Sequence, residues 1–374
     1  MSSILAPFGH AWPRFTRYVK PMLSAETLNF WAGQIHPLWS FNQPLVQIVA
    51  REISAHHTVT LTLKPNRHVP SFQAGQHIGV IVPIAGVLTQ RSYSPSRVPH
   101  QPDQWSITIK QQPNGRVSRY LCEQVQIGDV LAVSPAFGQM TLPKTPQPLL
   151  LLAAGSGITP MISLIRAAIE QGTLTQPFRL MYWVRHREDA CFVQELRALA
   201  ARDPQLTVRF YWTASPALYA DERTGRLDAH LLHEELDPTD LLTCCAYACG
   251  PAGFVAQAQS LLAQRVGTWH HEAFSLPALA MDDSNAEPAR TVQVTLSKQG
   301  RTVVVSTQQP LLAALEAAGI QPAYGCRMGI CNTCACGKTQ GITQDRSTQH
   351  THNQPTRALK LCISHARSDL TLDL

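Results

Sequence analysis

The sequence predicts a multidomain chain: an antiparallel β-barrel, then an α/β parallel-sheet domain, then a small C-terminal β-grasp domain. Three observations predict it. Between Leu45 and Leu142 short alternating apolar and polar runs recur, punctuated by Pro and Gly, as in an antiparallel barrel. At Pro148 the texture changes to strand–helix alternation, opening with Leu149–Ala154, whose continuous apolar run marks a strand buried on both faces. Near the C-terminus Cys326, Cys331 and Cys334 form a C-x4-C-x2-C run, and Cys362 follows.

Length and composition bound the answer. At 374 residues the chain exceeds one ordinary core, and 44% hydrophobic residues suffice to fill two or three. The apolar run Leu149–Ala154 is far too short to span a bilayer. The start carries Pro7, His10, Trp12 and several Arg without a clean apolar core, so no export signal is expected. In a long chain without such a signal, the ten cysteines read as reduced thiols in a cytosol. Net charge is +6 with Lys and Arg scattered, and no basic stripe is interleaved with aromatics, so nucleic acid is not an expected partner. Mild positive charge still suits dinucleotide phosphates and an anionic membrane surface.

Residues 1–43 form an extension crowded with Trp12, Phe15, Tyr18, Phe30, Trp31, Trp39 and Phe41. Short helices packed onto the following domains are expected; a docking surface at a membrane interface is the alternative. Residues 44–143 carry barrel strands at Leu45–Ala50, Thr58–Leu63, His77–Val82, Gln104–Lys110 and Val130–Ser134, with one helix at Val117–Val125. Residues 144–277 carry Leu149–Ala154, a helix from about Pro160, then strands at Arg179–Val184, Thr207–Trp212 and Thr243–Ala248. This βαβ series implies an open parallel sheet with helices on both faces. Residues 278–290 read as a linker that would span on the order of 20 Å if flexible. Residues 291–374 open with strands Thr291–Ser297 and Thr302–Ser306 and a helix at Pro310–Ala318, an order that fits a β-grasp domain.

Five motifs carry chemistry. The spacing of Cys326, Cys331, Cys334 and Cys362 is that of a plant-type [2Fe–2S] cluster, in which four thiolates hold two irons; a zinc site would more often show two C-x2-C pairs. Cys336 sits two residues beyond Cys334 and is expected as a neighbour on the next strand. Arg91-Ser92-Tyr93-Ser94 lies at a strand end, and Gly115-Arg116-Val117-Ser118 opens the barrel's helix. A helix N-terminus is an anion site through its free amides, Arg91 can add a charge-assisted contact, and Tyr93 offers a flat face to an aromatic ring. An ordinary strand end is the plain alternative for Tyr93 and Ser94. Gly155-Ser156-Gly157-Ile158-Thr159-Pro160 follows the first parallel strand; its glycines would let the backbone approach a pyrophosphate, although the third Gly of the usual fingerprint is missing. Cys249-Gly250-Pro251 ends what reads as the last parallel strand, on the edge where ligands bind in open sheets. Cys122, Cys191, Cys244 and Cys245 read as small buried hydrophobes, and the 15 histidines as surface side chains without metal spacing.

In this order the motifs resemble the ferredoxin–NADP reductase superfamily carrying a C-terminal plant-type ferredoxin domain. The resemblance spans roughly residues 45–374. It implies that Arg91, Tyr93 and Ser94 bind a flavin, and that Gly115, Val117 and Ser118 hold its diphosphate. It further implies that Gly155, Gly157, Thr159, Pro160, Cys249, Gly250 and Pro251 receive a pyridine nucleotide. His270-His271-Glu272-Ala273-Phe274 resembles the family's Glu-x-Phe ending near the flavin, with a plain strand end as the alternative. Hydride transfer is then expected beside Ser94, Cys249 and Glu272. The barrel resembles the FAD branch more than the FMN one. Arg185 and Arg187, at the end of the strand Arg179–Val184, favour NADPH over NADH, since arginine there accommodates a 2′-phosphate.

Within the family, Cys326–Cys331, Leu361–Ser364 and the aromatic extension look like bacterial reductases of membrane fatty-acid (acyl-CoA) desaturases. Related chains reduce Rieske-type oxygenases and other hydroxylases. The expected protein is therefore a cytoplasmic reductase, in peripheral contact with the inner membrane face, that feeds a diiron or Rieske oxygenase. A flavin and cluster redox sensor is the alternative of another class.

Overall fold

A computed structural model describes residues 25–84, 86–274, 290–325, 327, 329, 332–346 and 350–374. The expected linker lies outside these residues except for Arg290, as do the first part of the aromatic extension and both Cys326 and Cys331.

The chain first forms α1 (Ala25–Ile35) and then an antiparallel sheet of β1 (Leu45–Ala55), β2 (Thr58–Pro65), β3 (Ile78–Ile84), β4 (Val87–Tyr93), β5 (Ser96–Val98), β6 (Gln101–Lys110) and β7 (Val130–Val133). Its order is β4-β3-β7-β1-β2-β6-β5, and α2 (Arg116–Glu123) follows β6. Alternating residues of β1, β2, β3 and β6 turn inward: Val46, Ile48, Leu61, Leu63, Val80, Val82, Ile107 and Ile109 are sealed from solvent, with Trp105 edge-on to Phe72. β4 ends at Tyr93, as the strand end read at Arg91–Ser94 requires, but its Thr89, Gln90, Arg91 and Ser92 lack an apolar stripe that would show its full span; β5, three residues long, went unread.

The second sheet is wholly parallel: β8 (Leu149–Ala154), β9 (Phe178–Val184), β10 (Leu206–Trp212), β11 (Glu222–Thr224), β12 (Cys245–Gly250) and β13 (Thr268–Ala273), in the order β11-β10-β9-β8-β12-β13. All of β8 and β12 is buried, as continuous apolar runs require. The core lies on both faces: one contains Leu151, Tyr182 and Phe210, the other Leu152, Trp183 and Tyr211. Helices α3 (Ile158–Glu170), α4 (Val193–Arg202), α5 (Ala229–Glu235), α6 (Pro238–Leu241) and α7 (Ala252–Leu262) connect the strands. The expectation that Cys249 ends the last strand is corrected here. β13 adds outside β12, and its part-exposed Thr-Trp-His-His-Glu-Ala lacks the apolar run that betrays a central strand.

The third unit packs β14 (Thr291–Leu296), β15 (Arg301–Ser306), α8 (Leu311–Ala317), β16 (Ala335–Gln340), β17 (Thr343–Asp345), β18 (Thr351–His352), β19 (Thr356–Lys360), β20 (Ser364–Ala366) and β21 (Leu370–Leu372). A mixed sheet β15-β14-β21-β16-β19, with β14 and β21 parallel, carries α8 on a core of Val294, Leu296, Leu311, Leu315 and Leu361.

The aromatic extension departs from expectation. α1 is present, and Leu38 and Ser40 are buried against the barrel, where Asn66 donates to the carbonyls of Leu38 and Gln43. Yet Phe30, Trp31, Ile35, Trp39 and Phe41 are each 56–73% exposed. The anchoring is done by small and polar groups, so the large rings are left pointing outward. Asn29 fixes this display, accepting from the Phe41 amide at 2.6 Å and donating to Asn42 at 3.0 Å.

Barrel and parallel sheet are joined through α3. Arg166 forks Glu195 of α4 with two bonds of 2.7 Å and reaches Ser96 Oγ of β5 at 3.0 Å, while Ser163 Oγ donates to the Pro95 carbonyl at 2.9 Å. An Arg166→Met variant loses about 1–3 kcal/mol, and calorimetry should show a lower melting temperature with the two modules unfolding less cooperatively.

Candidate functional site

The N-terminal end of α2, the end of β4 and the turn after β8 converge on one cavity of about 430 Å³, within the usual range for small-molecule sites. Arg91, Tyr93 and Ser94 line it from the barrel, Gly115, Arg116, Val117 and Ser118 from α2, and Ser156, Thr159 and Phe274 from the parallel-sheet module. Arg327 of the cysteine loop lines it as well. A larger cleft of about 500 Å³, bordered by Arg97, Lys144 and Gln171, holds none of the sequence-predicted site residues, so the chemistry is assigned to the smaller cavity.

Its charge is one-sided. Arg91, Lys110, Arg116 and Arg327 line it and, among the described residues, no carboxylate does. Two of the four have acidic neighbours: Lys110 stands 3.5 Å from Asp189, and Arg327 pairs with Glu316. The residues therefore fit a flavin dinucleotide. The cations and the amides of α2, whose N-terminus no side chain caps, would meet its diphosphate. Ser92 Oγ is buried in the same wall without a partner among the described residues, a donor awaiting an acceptor. Ser118 serves the loop itself, its oxygen accepting from the Gln112 amide at 3.1 Å.

The nucleotide turn is built for close approach. Gly155 has φ +55°, and a Cβ on Gly157 would lie 2.0 Å from the Cys249 carbonyl oxygen, so the end of β8 can meet the end of β12 only through glycine. Thr159 Oγ1 donates to the Ser156 carbonyl, and Pro160 sits in the first turn of α3, where its missing N–H costs nothing. Gly250 and Pro251 lead into α7, and the Phe274 amide donates back to the Gly250 carbonyl at 2.9 Å.

Cys249 and Glu272 are register partners on β12 and β13. Cys249 is sealed from solvent, and burial, reinforced by the Glu272 charge, pushes its thiol well above the ordinary value. It stays neutral and is no thiolate nucleophile. Glu272 meets His77 Nε2, and His77 Nδ1 lies 2.9 Å from Ser94 Oγ. His77 is 1% exposed, contrary to the expectation that the histidines are surface residues. A lone His before an apolar strand gives no local sign of this role. Lys110 and Arg327 were likewise missed, because only the fold brings them to Arg91.

The two arginines after β9 separate. Arg187 is committed to the buried Glu222 through both terminal nitrogens (Nη2–Oε2 2.8 Å), donates to the Pro216 carbonyl at 3.0 Å and stacks on Trp212. These contacts tie it to the loop after β10, whereas Arg185 beside it is exposed.

In the cysteine loop Cys334 and Cys362 are both buried, and the Leu361 amide donates to the Cys334 carbonyl. Arg327, Gly329 and Asn332 all have positive φ, of 59°, 77° and 56°. Left-handed backbone at two non-glycine residues is costly and persists where a loop must wrap an object and aim its amides inward. Lys360 Nζ clamps the loop through the Gly329 carbonyl at 2.6 Å. The donor set, four cysteines at this spacing, fits a [2Fe–2S] cluster. Cys336 points into the core beside Leu359, and burial first among several causes pushes its thiol up to about 12.

These features define an oxidoreductase that uses FAD, a pyridine nucleotide and a [2Fe–2S] cluster. Family models agree: an oxidoreductase FAD-binding domain matches residues 46–142, an oxidoreductase NAD-binding domain residues 151–260, and a 2Fe-2S iron-sulfur cluster binding domain residues 294–367. The match supports FAD over FMN. The chain belongs to the ferredoxin–NADP reductase-like flavoproteins with a C-terminal [2Fe–2S] domain. It is 29% identical to an NADPH oxidoreductase of Mycobacterium tuberculosis, over 96% of this chain and 90% of that one. It is 31% identical to a heme-dependent oxidative N-demethylase beta subunit of Ectopseudomonas mendocina, over 82% and 90%. Identity is 26% to a phthalate 4,5-dioxygenase oxygenase reductase subunit of Pseudomonas putida, over 82% and 88%. Among solved structures, phthalate dioxygenase reductase shares the fold with a TM-score of 0.58 at 24% identity, covering 88% of this chain and 97% of that one.

Glu222 offers a pH test of the nucleotide-side loop. Burial opposes its ionisation, but bonds from Arg187, the Leu218 amide and Arg197 outweigh it and hold the carboxyl far below its ordinary value. The stability it contributes is thus present above about pH 4 and lost as pH falls below that. Urea unfolding should show Glu222→Gln weaker than wild type at pH 7, with the gap shrinking on acidification.

Proposed function

We propose that the chain accepts hydride from NAD(P)H and delivers the electrons singly, through its cluster, to an oxygen-activating iron enzyme, foremost a membrane fatty-acid desaturase. Bound flavin supplies the conversion from two-electron uptake to one-electron release. The residues do the rest. Arg91 and Arg116, with the amides of Val117 and Ser118, would hold the diphosphate. Tyr93 would cover the ring face, and Ser94 would hydrogen-bond its reactive edge. Gly155, Gly157, Thr159, Pro160, Gly250 and Pro251 would seat the nucleotide. Neutral Cys249 and Phe274 would exclude water beside Glu272, where hydride would pass. Cys326, Cys331, Cys334 and Cys362 would ligate the cluster.

The observation that carries this reading is Arg327. A side chain of the cysteine loop lines the cavity of Tyr93 and Ser94, which supports an electron exit close to its entry. For a membrane-embedded acceptor the support is the fixed display of Phe30, Trp31, Ile35, Trp39 and Phe41, a composition suited to the bilayer interface. No helix among the described residues is long and apolar enough to cross a membrane. A Rieske oxygenase as acceptor is the second reading, supported by the likeness, over 82% of this chain, to a phthalate 4,5-dioxygenase oxygenase reductase subunit.

In a Cys331→Ser variant, NADPH should still bleach the flavin spectrum while electron transfer to a one-electron acceptor disappears. Loss of both in a folded protein would refute the division of labour. Arg185→Ala should raise KM for NADPH about tenfold, as the loss of one charge-assisted phosphate contact would, and leave KM for NADH unmoved.

A further inference from the structure

We propose that the larger cleft, the one bordered by Arg97 and Lys144, is a second ligand site, which takes an amphiphilic monocarboxylate of the fatty-acid class. The inference holds whatever enzyme accepts the electrons. The cleft has a volume of about 500 Å³ and shares no lining residue with the cavity of Tyr93 and Ser94. That volume lies inside the usual range for small-molecule sites. Three parts of the chain wall it: Phe72 and Arg97 from the barrel, Leu142 and Lys144 from the connector between modules, and Ala167 and Gln171 from α3. Leu149 and Phe178, the first residues of β8 and β9, line it from the sheet.

The deep walls suit a hydrocarbon. Phe72, Leu149, Ala167 and Phe178 are only 2–7% exposed, and with Leu142 they offer apolar surface that a guest would take out of water. The hydroxyls among them are already committed. Ser163 Oγ donates to the Pro95 carbonyl at 2.9 Å, and Thr173 Oγ1 donates to the Ala168 carbonyl at 3.3 Å. Nothing in that part of the cleft calls for a polar guest.

Charge decides the other end. Arg97 and Lys144 are the charged lining residues among those described, and both are cations. The Arg97 guanidinium carbon lies 5.8 Å from the Phe72 ring centroid, and its side chain spends one long bond of 3.4 Å on the Pro102 carbonyl. Most of its five donors are therefore left over. Lys144 is exposed and makes no ion pair or hydrogen bond among the described residues. Against these cations stands the C-terminal turn of α3, which brings Ala167 and Gln171 to the cleft together with the negative end of the helix dipole. Two cations set against a helix C-terminus balance a single negative charge and disfavour a phosphate. A carboxylate between Arg97 and Lys144, with its alkyl chain along Phe72 and Phe178, meets both demands. Such a guest would touch barrel, connector and α3 at once, and so brace the seam that Arg166 and Ser163 already hold.

Titration calorimetry of the whole protein with dodecanoate, kept below its micelle threshold, tests the site. Wild type should bind it saturably, and dodecylamine, with the same tail and the opposite charge, at least about tenfold more weakly. Lys144→Glu alters an exposed side chain and should fold; it should lose about tenfold in affinity for dodecanoate and gain affinity for dodecylamine. Ala167→Phe fills the cleft without changing its charge and should abolish binding of both; if it fails to fold, Lys144→Glu still decides. Saturating dodecanoate should also raise the melting temperature of wild type, as any ligand of the folded state does, and raise that of Lys144→Glu less. Absence of saturable binding, tighter binding of inorganic phosphate than of dodecanoate, or dodecanoate affinity unchanged in Lys144→Glu overturns the proposal. Loss of binding in Trp31→Ala overturns it too, because the amphiphile would then sit on the exposed aromatic display.

Discussion

The contact between His77 and Glu272 is the constraint on which the site depends. Glu272 stands at the end of an edge strand whose register is set by β12, and His77 stands where the barrel chain enters β3. Joining them fixes the separation between the C-terminal edge of the parallel sheet and the cavity wall of Ser94. The same contact brings the Gly155–Gly157 turn and Phe274 to face Tyr93. Arg166 and Ser163, on the far side of α3, hold the modules together at a second point, so the two sheets meet as one body rather than across a loose hinge. A cavity between modules needs this, since a shift of about 1 Å between reacting groups can cost two orders of magnitude in rate.

Electrostatics then select the occupant. Guanidinium and ammonium groups line the cavity without a lining carboxylate, an arrangement that would repel itself in the absence of an anion. Where carboxylates do occur nearby they are already used. Glu222 holds Arg187 and Arg197, Glu195 holds Arg166, and Glu316 holds Arg327 against Tyr324. The pairing of Arg187 with Glu222 also shows why two adjacent arginines need not do the same job. One stacks on Trp212 as part of the fold, and the other stays free to meet a ligand.

Much of this was legible in the sequence. β8 and β12 were visible as apolar runs because both faces of a parallel strand are buried, and α8 and β14 followed from ordinary periodicity. β13 escaped because an edge strand needs no such run, and only the end of β4 was visible because its residues serve a cavity and so break alternation. At the cavity, Arg91, Tyr93, Ser94, Ser118 and Thr159 were legible because their short motifs, weak singly, recur in one order at strand ends and helix starts. His77, Lys110 and Arg327 were not. Each is ordinary in its local context and acquires a role only through the fold, as the bonds from His77 to Ser94 and Glu272, 17 and 195 residues away, illustrate. The exposure of Trp31 and Trp39 was also unreadable, since burial of a surface aromatic depends on what lies opposite it.

The central claim is that one chain converts a two-electron donor into single-electron output. An anaerobic reductive titration of the purified protein, followed by visible absorption and electron paramagnetic resonance, tests it most directly. The account predicts uptake of about three electron equivalents per chain, two by flavin and one by cluster, with the paramagnetic signal of a reduced [2Fe–2S] centre appearing on addition of NADPH alone. Zinc in place of iron and acid-labile sulfide, or a cluster that NADPH cannot reduce while the flavin bleaches fully, would contradict it.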